Sequence, residues 1–546
     1  MSRAELVPPG AKPSRQPNAR SRREREHSLG RRAGALVAGL LLAVAAASAA
    51  GAKDLVGVYE DALQNDPTIR AADANRLASR ESRPQAWAAL LPQVSGSASY
   101  TIDHSSGNQD QPNYSAPLNG GPAVLHVPYT TDSHETRWGL NLRQNLFSWS
   151  NWMTLKAADS QVAQAEANYV AAEQSLILRV SQAYFNVLSA QDNLEAQEAS
   201  LDAIGRQLDQ ADKRYDVGLI AITDVQEAKA ARDNASAAVI GAKRTLATAE
   251  DQLQEITGQK YDSLSKPAGD MPLNMPQPAD ENQWVQISLD QNATLLASRL
   301  AADIARDNVK VAFGGHLPTL DLVAARTFSR QDGSEVTDAG PPIGVLNLPE
   351  FGSHVNDRQI GLQVTVPIFS GGATQSKVRQ SQYLWIAAKE QMTQTSRATE
   401  RQARDAYLGV ISGIARVQAL RQALESSQTA LKATEAGYEV GTRTAVDVLN
   451  ARRTLVQAQT DYSGSRYDFI VSIVQLRLAA GNLDRPQLEQ INGWLGVSAP
   501  TSPRGETPES LTPKLPPTTI TTPVTPQSVL PPPNTPQPAG RQPRNP

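Results

Sequence analysis

Two kinds of hydrophobic spacing organise the chain. Val94, Gly96, Ala98, Tyr100 and Ile102 alternate with Ser95, Ser97, Ser99, Thr101 and Asp103, a period of two over about ten residues. That is the length a tilted strand needs to cross a bilayer. Ile360, Leu362, Val364, Val366 and Ile368 alternate as cleanly, and Arg137 to Asn145 and Leu320 to Ser329 do so with more interruptions. Strands are therefore predicted at about 94–103, 136–147, 319–330 and 358–369, with outward loops at about 104–133 and 331–357. Between them, Ala with Leu, Val and Ile recurs every three or four residues, the stripe of packed helices. Helices over 150–211 and 371–436 would be about 93 and 99 Å long, and the shorter 66–90 with 219–258, and 291–316 with 442–481, add up to similar spans.

The chain also matches itself. Trp87 falls on Phe313 and Leu91-Pro92 on Leu317-Pro318; Gly139-Leu140 falls on Gly361-Leu362, Ala183-Tyr184 on Ala406-Tyr407, and Tyr215 to Gly218 on Tyr438 to Gly441. The offset shifts only inside stretches rich in Gly, Pro and Asn, where loops tolerate insertion. A tandem duplication of a helix-strand-strand-helix unit accounts for this, with repeats at 53–258 and 291–482 and a connector at 259–290. Residues 483–546 are expected to be a Pro-rich disordered tail, its prolines crowding from Pro500. The fold class is thus an α+β membrane protein. Four strands cannot close a transmembrane barrel, which needs about eight, so the barrel must be shared between subunits. Phe147, Trp149 and Trp152 gather where the second strand ends, as in an aromatic belt at a membrane interface, although packing at a strand-helix junction explains them equally well.

Composition narrows the function. Aromatics make up only 5% of the chain, which suits long seams of small side chains better than a thick enzyme core. There is no cysteine, so disulfides, thiolate metal sites and an acylated cysteine are excluded. His27, His104, His126, His134, His316 and His354 show no paired ligand spacing, and no metal or cofactor is expected. The net charge of −3 hides a basic leader: residues 1–32 hold nine Arg or Lys against three Glu. Because this basic excess precedes Ala33 to Ala52, which reads as a signal peptide, a nucleic-acid partner is disfavoured; residues 1–52 are the expected leader. No nucleophile-base pair or phosphate-binding Gly loop appears, so an enzyme is not expected.

Three segments carry a family resemblance. They are Tyr215 to Gln226 (Tyr-Asp-Val-Gly-Leu-Ile-Ala-Ile-Thr-Asp-Val-Gln), Tyr438 to Asn450 (Tyr-Glu-Val-Gly-Thr-Arg-Thr-Ala-Val-Asp-Val-Leu-Asn) and Val366 to Gly372 (Val-Pro-Ile-Phe-Ser-Gly-Gly). The chain resembles TolC-family outer-membrane efflux proteins, in their non-acylated branch, over about residues 54–495. The resemblance implies a homotrimer whose shared β-barrel continues into a long periplasmic antiparallel α-helical barrel. It further implies an outer-membrane exit duct, set in outer-membrane lipid and served by a periplasmic adaptor and an inner-membrane ABC or proton-driven pump. Thr223, Asp224, Tyr438 and Arg443 match the family's periplasmic gate, and Asp447 its acidic lumen ring, with Asn450 where a second acidic ring would sit. From the residues alone, Gly218 and Gly441 permit turns between antiparallel helices, Thr223 or Asp224 is placed to cap the next helix, and Asp224 and Asp447 are equally explained as caps or as part of a solvated tip. The alternative, a periplasmic coiled-coil adaptor or scaffold, accounts for the helices and leaves the alternating strands without a purpose.

Overall fold

A computed structural model describes residues 52–112, 123–267, 271–338 and 344–501. The expected leader, the centres of both outward loops and the chain beyond Thr501 lie outside the described residues.

Short helices open each half. α1 (Leu55–Asn65), α2 (Pro67–Arg80) and α3 (Ser82–Ala88) precede strands β1 (Gln93–Pro112) and β2 (Val124–Phe147). The predicted helix over 66–90 is interrupted at Glu81, between α2 and α3, and α1 stands before it as a separate helix. Asp66 leaves helical geometry to end α1 and cap α2, accepting from the Thr68 N–H at 2.8 Å, and Pro67 fits the first helical turn. The second half repeats the device: between α6 (Glu281–Gln291) and α7 (Ala293–Phe313), Asn292 accepts from the Leu295 N–H at 3.0 Å. Strands β4 (Thr319–Asp338), β5 (Val345–Asn347) and β6 (Phe351–Thr365) follow.

The long strands form one antiparallel sheet in the order β1-β2-β4-β6, with the short β5 also against β4. Among the described residues, β1 and β6 each pair on one side only. Register puts Ala98, Trp138, Phe328 and Asn356 in one row across the four strands, and Val94, Leu142, Ala324 and Ile360 in another. One face therefore carries Val94, Tyr100, Ile102, Trp138, Leu140, Leu142, Leu322, Leu362 and Val364. The other carries Ser95, Ser97, Ser99, Asn141, Thr327, Ser329 and Gln359. The apolar face is bare: Ile360 is 78% exposed. At the helix end of the polar face, Asp321 is 1% exposed and is held by Arg143 at 2.9 Å and Asn145 at 3.0 Å.

The strands outrun their predicted limits. Much of the expected loops, 104–112, 124–135, 331–338 and 351–357, is strand, because the backbone ladder continues where the side chains are Ser, Thr, Asp and His and the apolar alternation has faded. At its other end β6 stops at Thr365 rather than at 369, since Pro367 has no N–H to give the ladder.

Two helices then run the length of the helical region. α4 (Trp149–Asp216) has 68 residues and α8 (Ala373–Glu439) has 67, each about 100 Å long. α5 (Ile222–Thr257) and α9 (Ala445–Ala480) return along them as hairpin partners, about 54 Å each. α2 and α3 pack beside the strand-proximal part of α4, where Ala86, Leu155 and Ala158 form a small core. α7 packs on α4 and on α8. None of the described helices is long and apolar enough to cross a membrane.

The main core lies midway along α4. Leu176, Ile177, Val180, Tyr184, Phe185 and Leu188 pack there with Leu55, Val58 and Tyr59 of α1, Leu246 and Leu253 of α5, and Tyr467, Ile470 and Val474 of α9. Burial pushes the Tyr59 hydroxyl up to about 12.

The expected disordered tail from residue 483 is corrected here. Asp484 caps α10 (Arg485–Asn492), whose Leu488 and Ile491 enter the main core, and β7 (Leu495–Pro500) pairs with β3 (Ser263–Pro267) in the connector. A pattern of two apolar residues in eight is too short to signal a helix until its partner is known. Both ends of the described chain meet at β3: the Lys53 N–H donates to Ser263 O at 3.0 Å, the Ser265 N–H to Lys53 O at 3.0 Å, and the Thr501 N–H to Asp262 O at 2.9 Å.

Gly481, which ends α9 at φ 75°, is wedged against the α6–α7 junction, where an added Cβ would lie 2.4 Å from Gln291 O. Gly481→Ala should destabilise the helical region by more than the ~1–3 kcal/mol of the backbone strain alone. Gly218→Ala meets open space at φ 80° and should cost only that strain. Thermal melts followed by far-UV circular dichroism check the ranking.

Candidate functional site at the helical tips

Both hairpins reverse through the same backbone device. α4 ends with Val217 and then Gly218 at φ 80°; the Gly218 N–H donates to Tyr215 O and the Leu219 N–H to Arg214 O, both at 2.8 Å. α8 ends with Val440 and then Gly441 at φ 79°; the Gly441 N–H donates to Tyr438 O at 3.2 Å and the Thr442 N–H to Gly437 O at 2.8 Å. This paired pattern satisfies the last helical carbonyls and requires a left-handed residue, which glycine supplies at least cost. The turns at Gly218 and Gly441 are thus built as their sequence suggests.

The starts of the return helices differ. Thr444 caps α9 in a reciprocal box: its Oγ1 accepts from the Asp447 N–H at 3.2 Å, while the Asp447 carboxylate accepts from the Thr444 N–H and hydroxyl, each at 3.0 Å. Those hydrogen bonds, with Arg443 nearby, hold the Asp447 carboxyl below the usual carboxylate range. The cap of α5 is Ala221, which has no side-chain acceptor. Thr223 and Asp224 therefore do not cap it; they sit one and two places inside the helix, too late to reach the free N–H groups from the cap position. Asp224 still faces the positive end of the helix dipole.

The tips of the two hairpins lie together in one chain. The Arg214 guanidinium stands 5.1 Å from the centre of the Tyr438 ring, joining α4 to α8. Arg452 of α9 pairs with Glu435 of α8 at 2.5 Å, bracing the second hairpin next to its turn. Neither Arg214 nor the Arg452–Glu435 pair was evident in the sequence, where Glu435 stands six residues before Gly441 and Arg452 eleven after it. Ala211, Val225 and Ala228 fill the space between α4 and α5. Beyond these contacts the tips present apolar side chains to solvent: Val217, Leu219, Ile222 and Val440 are all exposed. Thr223, Arg443 and Asn450 are exposed, and Asp224 and Asp447 half-buried. Among the described residues Asp224 and Arg443 have no ion-pair partner at contact distance, and no group of His, Asp and Glu is arranged to hold a metal.

This architecture of paired strands, long helices and matched tips has close counterparts. The family model described as outer membrane efflux protein matches residues 58–259 and 284–482. Outer membrane protein TolC of Vibrio cholerae is 35% identical over 451 residues, covering 83% of this chain and 96% of that protein. The alkaline protease secretion protein AprF of Pseudomonas aeruginosa is 28% identical, over 80% of this chain and 86% of that one. Among solved structures, the CmeC outer membrane channel of Campylobacter jejuni superposes with a TM-score of 0.62 at 19% identity, covering 80% of this chain and 89% of that one. With both repeats matched in order and the relatives spanned almost end to end, the chain belongs to the outer membrane efflux protein family, a transport channel that forms an exit duct in the outer membrane with its helical part in the periplasm.

Proposed function

We propose that the chain is one protomer of a homotrimeric duct that passively conducts cargo handed to it by an inner-membrane ABC or proton-driven pump through a periplasmic adaptor. The observation that carries this is the pair of open edges. β1 and β6 present unpaired backbone groups along strands that belong in lipid, where each unsatisfied group is costly. Pairing β6 of one copy with β1 of the next removes both edges, and four strands from each of three copies give a twelve-stranded barrel. The polar face then lines the lumen and the apolar face meets lipid. The helices of each copy extend the wall into the periplasm, and the exposed Val217, Leu219, Ile222 and Val440 at the tips offer an apolar rim to which an adaptor docks.

In the same assembly the tips form the periplasmic gate. Asp224 and Arg443, without an ion-pair partner at contact distance among the described residues, become partners between copies, with Thr223 and the Tyr438 hydroxyl adding hydrogen bonds. Exposed ion pairs are worth about 0–1 kcal/mol, but threefold symmetry repeats each link, and all must yield together. Asp447 supplies an acidic ring facing the lumen, and Asn450 leaves it without a second ring.

The expected outcomes are specific. Mass measurement of detergent-solubilised protein should give a trimer; a stable monomer would sink the proposal. Arg443→Ser combined with Tyr438→Phe should raise single-channel conductance in planar bilayers. The phenyl ring keeps its contact with Arg214, so an unchanged conductance would mean that the gate lies elsewhere. Asp447→Asn retains an acceptor for the Thr444 cap and removes the charge, so it should weaken block by multivalent cations from the periplasmic side while leaving helical content unchanged. With the Asp447 carboxyl held below its ordinary range, block by the wild type should persist as pH falls through about 3.9 and fade only below it.

A further inference from the structure

On the apolar face of the sheet, two arginines stand directly opposite each other in the span where the alternation calls for apolar side chains. Arg326 of β4 and Arg358 of β6 are direct partners in the antiparallel register, and Leu140 of β2 continues their row. One row nearer the helices lie Ala324 and Ile360; one row further out lie Trp138 and Phe328, stacked with ring centres 6.0 Å apart. Both arginines are exposed, and among the described residues neither pairs with a carboxylate. Arg330, four residues beyond Arg326 and on the same face, differs in being tied to Asp332 at 2.6 Å.

Like charges directly opposite on one face of a sheet repel, and here no neighbouring acid relieves them. Their height in the membrane adds a second constraint. Arg326 lies seven residues beyond Thr319 and Arg358 seven before Thr365, the ends of their strands nearest the periplasmic helices. Seven residues rise about 23 Å along a strand, or about 18 Å along the membrane normal at a tilt of ~40°. In an apolar band about 25 Å tall, this puts both guanidinium groups in the outer half, close enough to reach its boundary by extending along their own stems. A lipid-facing arginine is costly at the mid-plane and nearly neutral at the interface, so the favoured position is one in which both groups meet headgroup phosphates.

We propose that Arg326 and Arg358 clamp a phosphate of an outer-leaflet lipid headgroup, specifically a phosphorylated glycolipid of the lipid A class. Two planar guanidinium forks on adjacent strands match the oxygens of one phosphate, and the bound anion removes the repulsion between them. The stacked Trp138 and Phe328 beside them offer an apolar platform to the first carbons of an acyl chain. The proposal rests on the outer-membrane placement that the family gives, and not on the trimer.

Native mass spectrometry of the full chain, with purified bis-phosphorylated lipid A as the probe, tests it. The wild type and Arg137→Gln, altered on the opposite face, should retain the lipid equally. Arg326→Gln with Arg358→Gln should lose it by at least about tenfold, the worth of one charge-assisted hydrogen bond. The double lysine variant should retain part of the binding. If the double glutamine variant fails to insert, as judged by loss of the heat-shifted barrel band, each single glutamine variant is read in its place, with partial loss expected. Equal retention by the glutamine variants, or equal binding of enzymatically dephosphorylated lipid A, would overturn the clamp. Displacement of the lipid by inorganic phosphate alone would overturn the lipid assignment in favour of a free-anion site.

Discussion

The backbone has nowhere to hide its hydrogen-bonding groups inside a bilayer, and much of the molecule follows from that. A strand in lipid must be paired on both sides, and the described residues supply only four long ones. Everything below the sheet is then obliged to repeat, because each pair of strands must hand its ends to helices of matching reach. The duplication meets that obligation: α4 and α8 differ by a single residue in length, and α5 and α9 are both 36 residues long. Equal lengths let both hairpin turns arrive at the same end, where Arg214 meets Tyr438.

The helical region is held by a different balance. Long seams of alanine bury little area per residue, so the larger apolar side chains are concentrated midway, around Leu176, Tyr184, Phe185 and Ile470. Towards the tips the core thins to Ala211, Val225 and Ala228, and polar links such as Arg452 to Glu435 take over. Local opening is therefore cheapest at the lightly packed tips, where the fewest apolar contacts are lost.

Much of this was legible in the sequence because it was written twice. The period of two located every long strand, and the Val-Gly pairs at 217–218 and 440–441 located both turns. The limits of legibility have physical causes. Strand ends outside the apolar alternation are set by main-chain pairing, to which Ser, Thr and Asp side chains are indifferent, so β1 and β2 ran further than expected. α10 and β7 owe their existence to distant partners, α1 and β3, and nothing local marks them. At the tips, Asp447 does serve a cap, as the reciprocal partner of Thr444, a residue not singled out from the sequence, whereas Thr223 and Asp224 misled, the cap position before them being held by Ala221. Arg214 lies on the first hairpin and Tyr438 on the second, and only the fold brings them together.

The clasp at β3 has a consequence for the chain as an object. Lys53 bonds to one side of that strand and β7 to the other, so both ends of the described chain are fastened to the same short strand. The fold is in effect a closed ring with a nick in it. New termini cut into either outward loop, with the old ends fused near Lys53 and Thr501, would leave every strand and hairpin in place. A pull applied to the two helical tips would likewise strain the hairpins before Lys53 or Thr501 could peel away, because both are fastened at β3, beside the main core.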